Sequence, residues 1–461
     1  MSIIGAYVVP HPPMIVPEVG RGSEEQIIKT SDAYKEVAKE IAKLNPETII
    51  ITSPHTILYS DYFHISPNKG ANGSFKSFGA EQVSFNETYD EELVKEIERL
   101  SNEKNIPAGT RGEKDPILDH GVMVPLYFIR KELPHCNIVR IGLSGLPLIK
   151  HYELGMIIKE AVENLNRRVV FVASGDLSHK LQTYGPYGFI EEGPIYDDRI
   201  MDVLSNARFN ELLDFSDEFL EKAAECGHRS FTILSGALDK EDVKAHQLSH
   251  QDITGVGYGI CSFIPKGENK DRNFRDKYLE KEEERITKKR NSSNDYIKLA
   301  YMTIDKIVKE DKVLEVPKDI SKELLNNKSA MFTSIHEFDK LRGCVGTFIP
   351  TTDSIAEEII NSSINASTRD FRFPKITEEE LPYIDVTVYK LFPPEVVEDK
   401  EMLDPKKYGI IVSSKFKRGL LLPDLPGIDT IDEQIRIARG KGNILPDEEI
   451  TIERFKVEKY D

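Results

Sequence analysis

The chain has 461 residues, 39% hydrophobic and 30% charged, a composition that excludes a disordered polymer and leaves room for roughly two to four ordinary domains. Its formal net charge of −17 argues against a general nucleic-acid or anionic-membrane surface, because phosphate is gripped by basic patches. Four cysteines without a CxxC pair argue for a reducing compartment and against a disulfide framework, and no apolar run reaches the ~18 residues of a spanning helix.

The first expected strand is Ile3–Val9, which runs into Pro10-His11-Pro12-Pro13. Without a basic start, and broken by those prolines, it makes a poor signal peptide, so a cytoplasmic location is expected. A helix capped at Ser23 should reach Leu44, with Tyr34, Val37, Ala38, Ile41 and Leu44 as its apolar stripe. Asn45-Pro46 stops it, and a second strand, 48–52, runs into Ser53-Pro54-His55. Residues 59–86, rich in Gly, Ser and Asn, read as hairpins or a long loop, and 90–103 as a polar-faced helix. Asp119-His120-Gly121 opens a helix over 122–133; a buried strand over 137–143 and a helix over 152–165 follow. Next, after Arg168, comes an unbroken apolar stretch, Val169 to Ala173, ending in Ser174-Gly175-Asp176-Leu177-Ser178-His179. Such a run marks a strand buried on both faces, as in parallel sheets covered by helices. Several helices between 194 and 238 and a closing strand over 255–264 complete the alternation. The fold expected for residues 1–265 is therefore α/β, a doubly wound sheet.

Residues 266–290 carry ten basic and seven acidic side chains and too little apolar periodicity for a core. They are expected to form a charged linker or solvated helix. A second domain, 291–461, reads as α+β, with helices over 296–308 and 354–362 and strands over 330–336, 344–348 and 384–390.

Three strands thus deliver a histidine at their C-terminal ends: His11, His55 and His179. In open α/β sheets, ligands sit in the crevice beyond those ends. Prolines around His11 and before His55 stiffen the backbone and reduce the entropy lost in fixing a ligand. His64, His135, His151, His246 and His250 have no such placement and read as ordinary core or surface residues.

His11 in Pro-His-Pro-Pro, His55 in Ser-Pro-His, the Asp119-His120-Gly121 turn and Gly175-Asp176-Leu177-Ser178-His179 together resemble the class III extradiol ring-cleavage dioxygenase B subunit (LigB-like), whose fold is shared by Memo. The resemblance covers residues 1–265. It implies that His11 and His55 bind non-haem Fe(II), that His179 acts as acid/base, and that His120 and Asp176 line the substrate pocket. An iron held by two histidines and a carboxylate keeps a face open for a catechol-like aromatic substrate and O2. A histidine titrating near neutrality can take a hydroxyl proton and return it. Where the extradiol enzymes have a glutamate as third ligand, this chain has Cys226, in Ala224-Glu225-Cys226-Gly227-His228-Arg229, as Memo-type proteins do. Glu225 is the alternative ligand. A thiolate would shift metal preference toward Zn or Cu(I), or tune Fe differently.

In the second half, Leu341-Arg342-Gly343-Cys344-Val345-Gly346-Thr347 resembles the signature of the AMMECR-type domain. Asn365-Ala366-Ser367, Asp370-Phe371-Arg372-Phe373-Pro374 and Gly419-Leu420-Leu421-Leu422-Pro423 agree with it. Gly343 permits close backbone approach, Arg342 could hold an anionic group bidentately, and Cys344 and Arg372 complete a candidate substrate-binding set. The family has no settled activity. Chains resembling both halves accompany a radical-SAM protein, which implies a joint modification pathway. The partners expected are a small aromatic substrate or a modified protein, a radical-SAM protein, and a second copy of the chain as a homodimer.

Overall fold

The central strands are buried on both faces, in a computed structural model that describes residues 2–425 and 427–461. In order, they and their neighbours are β1 (Ile3–Val9), α1 (Ile28–Leu44), β2 (Thr48–Ser53), a hairpin of β3 (Gly70–Phe75) and β4 (Ala80–Thr88), and α2 (Glu91–Glu103). There follow α3 (His120–Glu132), β5 (Asn137–Gly142), α4 (Leu148–Asn164), β6 (Val169–Ser174) and α5 (Glu192–Ser205). Then come α6 (His228–Ala237), β7 (Glu241–Gln251) and β8 (Tyr258–Glu268). These lie in one unit, Met1–Tyr278.

Six of the strands form one sheet in the order β5-β2-β6-β1-β8-β7. The first four are parallel, whereas β8 and β7 join antiparallel. Successive side chains of the central strands enter different cores. Ala6, Val8, Ile50, Phe171 and Ala173 pack with Leu93 of α2, Leu154 of α4 and Phe231 of α6. Tyr7, Val9, Ile49, Ile51, Val170 and Val172 pack with Val37 of α1 and Val122 of α3. Helices therefore cover both faces, as the continuous apolar runs require. Each fully buried side chain of this kind contributes roughly 1.5–3 kcal/mol.

Two expectations change. Ser23 opens a short 3-10 turn, Ser23–Ile27, and does not cap α1, although Tyr34, Val37, Ala38 and Ile41 are buried. The closing strand is an antiparallel hairpin arm whose partner, β7, carries no apolar run that would announce it.

The charged stretch 266–290 enters regular structure. Its start extends β8 to Glu268, and most of the rest lies in α7 (Phe274–Ser292), which spans the division at Tyr278. In the second unit, Leu279–Asp461, α7 is held by Arg285 and Lys289 on Asp385 and by Arg290 on Asp305. That unit continues with α8 (Asp295–Glu310), β9 (Ala330–Glu337), β10 (Lys340–Gly346), α9 (Ile355–Thr368), β11 (Ile384–Leu391) and β12 (Glu395–Val396). It ends with β13 (Gly409–Ser414), β14 (Lys417–Leu421), α10 (Ile431–Lys441), β15 (Thr451–Phe455) and β16 (Val457–Tyr460). Two antiparallel sheets result, β10-β9-β11-β16 and β12-β15-β13-β14. Among the described residues, no helix is long and apolar enough to cross a membrane.

Candidate functional site

Parallel pairing sets the ends of β1, β2 and β6 level, with Val9 opposite Ser174 and Thr52 opposite Ala173. The residues that follow each strand therefore enter one crevice. His11 is 1% exposed, and its Nε2 lies 2.9 Å from Nε2 of His55. The His120 ring lies 4.0 Å from that of His55 and 5.4 Å from that of His11. His179 joins from the turn after β6, stacked on Tyr187 at 5.2 Å.

The turn before α6 brings the fifth group. Gly175 touches Gly227 so closely that a Cβ on Gly175 would sit 2.1 Å from Gly227 Cα. The amides of Cys226 and Gly227 donate to the Asp176 carbonyl at 3.4 and 3.1 Å, and the Asp176 amide donates to Cys226 Sγ at 3.2 Å. This docking places Cys226 Sγ 3.6 Å from His11 Nε2. Two overlapping donor sets result, His11–His55–Cys226 and Asp176–His179–Cys226, each with its ligand atoms within 4.8 Å of one another.

Glu225 is not in either set. Its carboxylate turns the other way and accepts from His228 N at 2.5 Å, occupying the start of α6. Residues 225 and 226 lie in the turn before α6, which separates the two side chains.

The supporting bonds decide which nitrogens are available. Ser174 Oγ donates its one hydrogen to the Gly121 carbonyl at 2.6 Å, so at its 3.0 Å contact with His11 Nδ1 it accepts. That places the ring hydrogen on Nδ1 and leaves the Nε2 lone pair facing His55 and Cys226. The His11 amide donates to Asp176 Oδ1 at 2.7 Å, and the Tyr34 hydroxyl holds the Pro10 carbonyl. On the other side, Ser53 Oγ accepts from the His55 amide at 3.2 Å and donates to Asp119 Oδ1 at 2.6 Å. Asp119 caps α3, where His120 is the first residue.

Burial keeps the imidazoles neutral. It drives His11 well below its ordinary range, helped by neighbouring His55, His120 and His179, and lowers His55 against the pull of Asp119. His120 and His179 fall to about 4, from burial first and His55 second. Burial raises the Asp176 carboxyl to about 7, opposed by the His11 amide, and lifts the Cys226 thiol well above its ordinary value. Neutral imidazoles beside a thiol that needs a cation to ionise form a candidate metal-ligand set. Two imidazole nitrogens and a thiolate on one tetrahedral ion would stand about 3.4 Å (N to N) and about 3.6 Å (S to N) apart. The 3.6 Å between Cys226 Sγ and His11 Nε2 matches that span, whereas the 2.9 Å between the two imidazole nitrogens is a hydrogen-bond distance about 0.5 Å shorter, so the rings would part by that much to hold such an ion.

Arg140 belongs to this site at one remove, and the sequence reading passes over it. Fully buried on β5, it donates to the carbonyls of Ile117 and Asp115 and to Ser66 Oγ, each at 2.6 Å, with Asp119 Oδ2 at 3.9 Å. It fixes the segment that carries Asp119 and His120. An arginine inside an apolar strand was the available signal. Ser174, Tyr187 and Phe78, which meets His120 edge-on at 5.6 Å, carried no comparable mark.

In the second unit, Arg342 does not await an anionic ligand. Its Nε and Nη2 hold the two Glu380 oxygens at 2.5 and 3.1 Å, and its Nη1 and Nη2 donate to the Pro374 and Lys375 carbonyls. Gly343 serves packing, since a Cβ there would lie 2.1 Å from the Ala366 carbonyl of α9. Cys344 and Arg372 do meet: Arg372 Nη2 donates to the Cys344 carbonyl at 3.1 Å.

Fold and site together define an α/β protein with a candidate metal centre at its strand ends, joined to an α+β unit. Residues 5–261 match the family described as the catalytic LigB subunit of aromatic ring-opening dioxygenase, and residues 297–460 match AMMECR1. The chain belongs to the LigB family and carries an AMMECR1 domain after it. It is 38% identical over 474 residues to a protein of Clostridium acetobutylicum, covering 100% of this chain and 99% of that one. A Thermotoga maritima protein is 45% identical over 167 residues, covering 36% of this chain and 96% of its own. Among solved structures, an uncharacterized Pyrococcus horikoshii protein is similar at 29% identity and a TM-score of 0.34, covering 36% of this chain and 88% of that one. An uncharacterized Escherichia coli K12 protein is similar at 14% identity and a TM-score of 0.39, covering 56% of this chain and 99% of that one.

Proposed function

We propose that the first unit is a non-haem Fe(II)-dependent oxidoreductase of the extradiol type, acting on a catechol-like substrate with O2. His11, His55 and Cys226 hold the metal, and His179 moves the substrate proton. The observation that carries this reading is the convergence of those three ligand atoms within 4.8 Å of one another. Iron in such a set supplies redox chemistry and an open coordination face. The chain supplies the rest. His179, which burial lowers to about 4 where the sequence led to an imidazole titrating near neutrality, is neutral at pH 7 and takes a hydroxyl proton and returns it to product. His120, with Phe78 behind it, and Tyr187 form aromatic walls for a flat substrate. Asp176 braces the His11 loop through its amide.

The test is metal content after anaerobic purification of wild type, His11→Ala and His55→Ala, followed by oxygen uptake with catechols. Iron in the wild type, its loss in both variants and uptake abolished by His179→Ala are expected. Metal content unchanged in the variants would overturn the reading.

Cys226 favours a second reading, a Memo-like metal-binding adaptor working with a radical-SAM partner. A thiolate ligand suits Cu(I) or Zn as well as iron. Retention of a radical-SAM protein in a pull-down, with no oxygen consumed on any catechol, would select it.

A further inference from the structure

His179 is held differently from His11. Ser174 fixes the His11 ring, whereas among the described residues none hydrogen-bonds the ring of His179. Its neighbour is Tyr187, stacked on it and itself exposed. The aim of this imidazole into the crevice therefore depends on its backbone.

That backbone is fastened on both sides. The Leu177 amide donates to the Gly257 carbonyl at 2.9 Å, and the Gly257 amide donates to the Ser178 carbonyl at 2.8 Å. Ser178 Oγ accepts from the Lys180 amide at 3.0 Å and donates to the Ala223 carbonyl at 2.8 Å. The remaining group is the Ser178 amide, which adjoins His179. It donates to Oδ1 of Asp197, a buried residue of α5, at 2.8 Å. The other oxygen, Oδ2, accepts from His250 Nε2 of β7 at 3.2 Å. A buried carboxylate is costly unless donors meet it, and these two meet one oxygen each. Gly257 leaves the space they need, since a Cβ there would lie 2.0 Å from Asp197 Oδ2. Asp197 and His250 stand outside both donor sets of the crevice, so they reach His179 without touching a ligand atom.

We infer that Asp197, braced by His250, is a positioning residue for His179: through the Ser178 amide it fixes the turn that aims the imidazole into the crevice. The inference rests on the reading of His179 as the group that moves the substrate proton.

The full chain is tested by NMR with histidine labelled at Cε1, loaded with Zn(II), which is diamagnetic. The His179 signal is the one missing from His179→Ala. In Asp197→Ala that signal is expected to shift or broaden while those of His11, His55 and His120 stay. Asp197→Asn keeps an oxygen for the Ser178 amide and is expected to keep the signal. His250→Ala leaves Asp197 in place without its brace; it should move the same signal by less, and it serves if Asp197→Ala does not fold. Metal content is expected to be unchanged in all three variants. In the iron-loaded protein, kcat for oxygen uptake with catechol should fall at least about tenfold in Asp197→Ala, with KM kept. A His179 signal that neither Asp197→Ala nor His250→Ala moves would overturn the inference, as would all four histidine signals moving together. A wild type that consumes no oxygen, with the His179 signal moving as stated, would overturn the proton-transfer reading and support the positioning.

Discussion

Ser174 sets the tautomer of His11. Its hydroxyl spends its only hydrogen on the Gly121 carbonyl and so accepts from His11 Nδ1, which leaves Nε2 bare in the crevice. Substituting Ser174→Ala removes this restraint without touching a ligand. Groups that orient a metal-binding histidine are commonly worth 10–100-fold in affinity, so metal affinity should fall by about that factor with the fold retained. Competition against a chelator, with circular dichroism as the fold control, measures it.

Arg140 is the residue whose loss should damage the scaffold of the site most. Arg140→Met leaves the Asp115 and Ile117 carbonyls and the Ser66 hydroxyl without their buried donor. Each such loss costs about 1–3 kcal/mol. Urea unfolding should show destabilisation of about 3 kcal/mol or more, and Arg140→Lys should recover part of it.

Gly175→Ala should act through Cys226. The added Cβ would push against the Gly227 backbone, displacing the turn that carries the thiol. Overpacking of this kind costs about 1–3 kcal/mol. A lower unfolding midpoint together with weakened metal binding is expected; either change without the other would dissociate the Gly175 contact from the thiol's position.

The metal-free protein should lose stability in acid. His120 and His179 titrate at about 4 and His228 at about 3 in the folded chain, while His11 and His55 are also lowered, against an ordinary value near 6.5. The unfolded chain therefore binds more protons at these sites, and their contribution is lost as pH falls below 6.5. Asp176 and Glu225, raised to about 7, act oppositely: their contribution is present at low pH and lost as pH rises through 7. The five imidazoles outweigh the two carboxyls, so the urea midpoint should drop between pH 7 and pH 5. A midpoint that rises on acidification would contradict this balance.

The strand-end histidines were legible because a parallel sheet buries its strands completely, and such strands announce themselves as apolar runs with their loops just beyond. The edge strand β7 was not, because its exposed, charge-rich alternation from Glu241 to His246 looks like a surface loop. The choice between Cys226 and Glu225 depended on a turn whose shape comes from the Gly175–Gly227 contact, 52 residues apart in sequence. Arg342 shows the same limit. Its charge was visible, but the carboxylate that consumes it, Glu380, lies on a distant turn. Pairings between remote polar residues leave no periodic trace.

The central claim is that Cys226, with His11 and His55, holds the metal and Glu225 does not. The decisive measurement is bound metal per chain in Cys226→Ala and Glu225→Gln, purified anaerobically beside the wild type; the glutamine keeps the acceptor at the start of α6. Metal reduced at least about tenfold in Cys226→Ala and unchanged in Glu225→Gln is the expected result. Full metal in Cys226→Ala, or loss confined to Glu225→Gln, would contradict it.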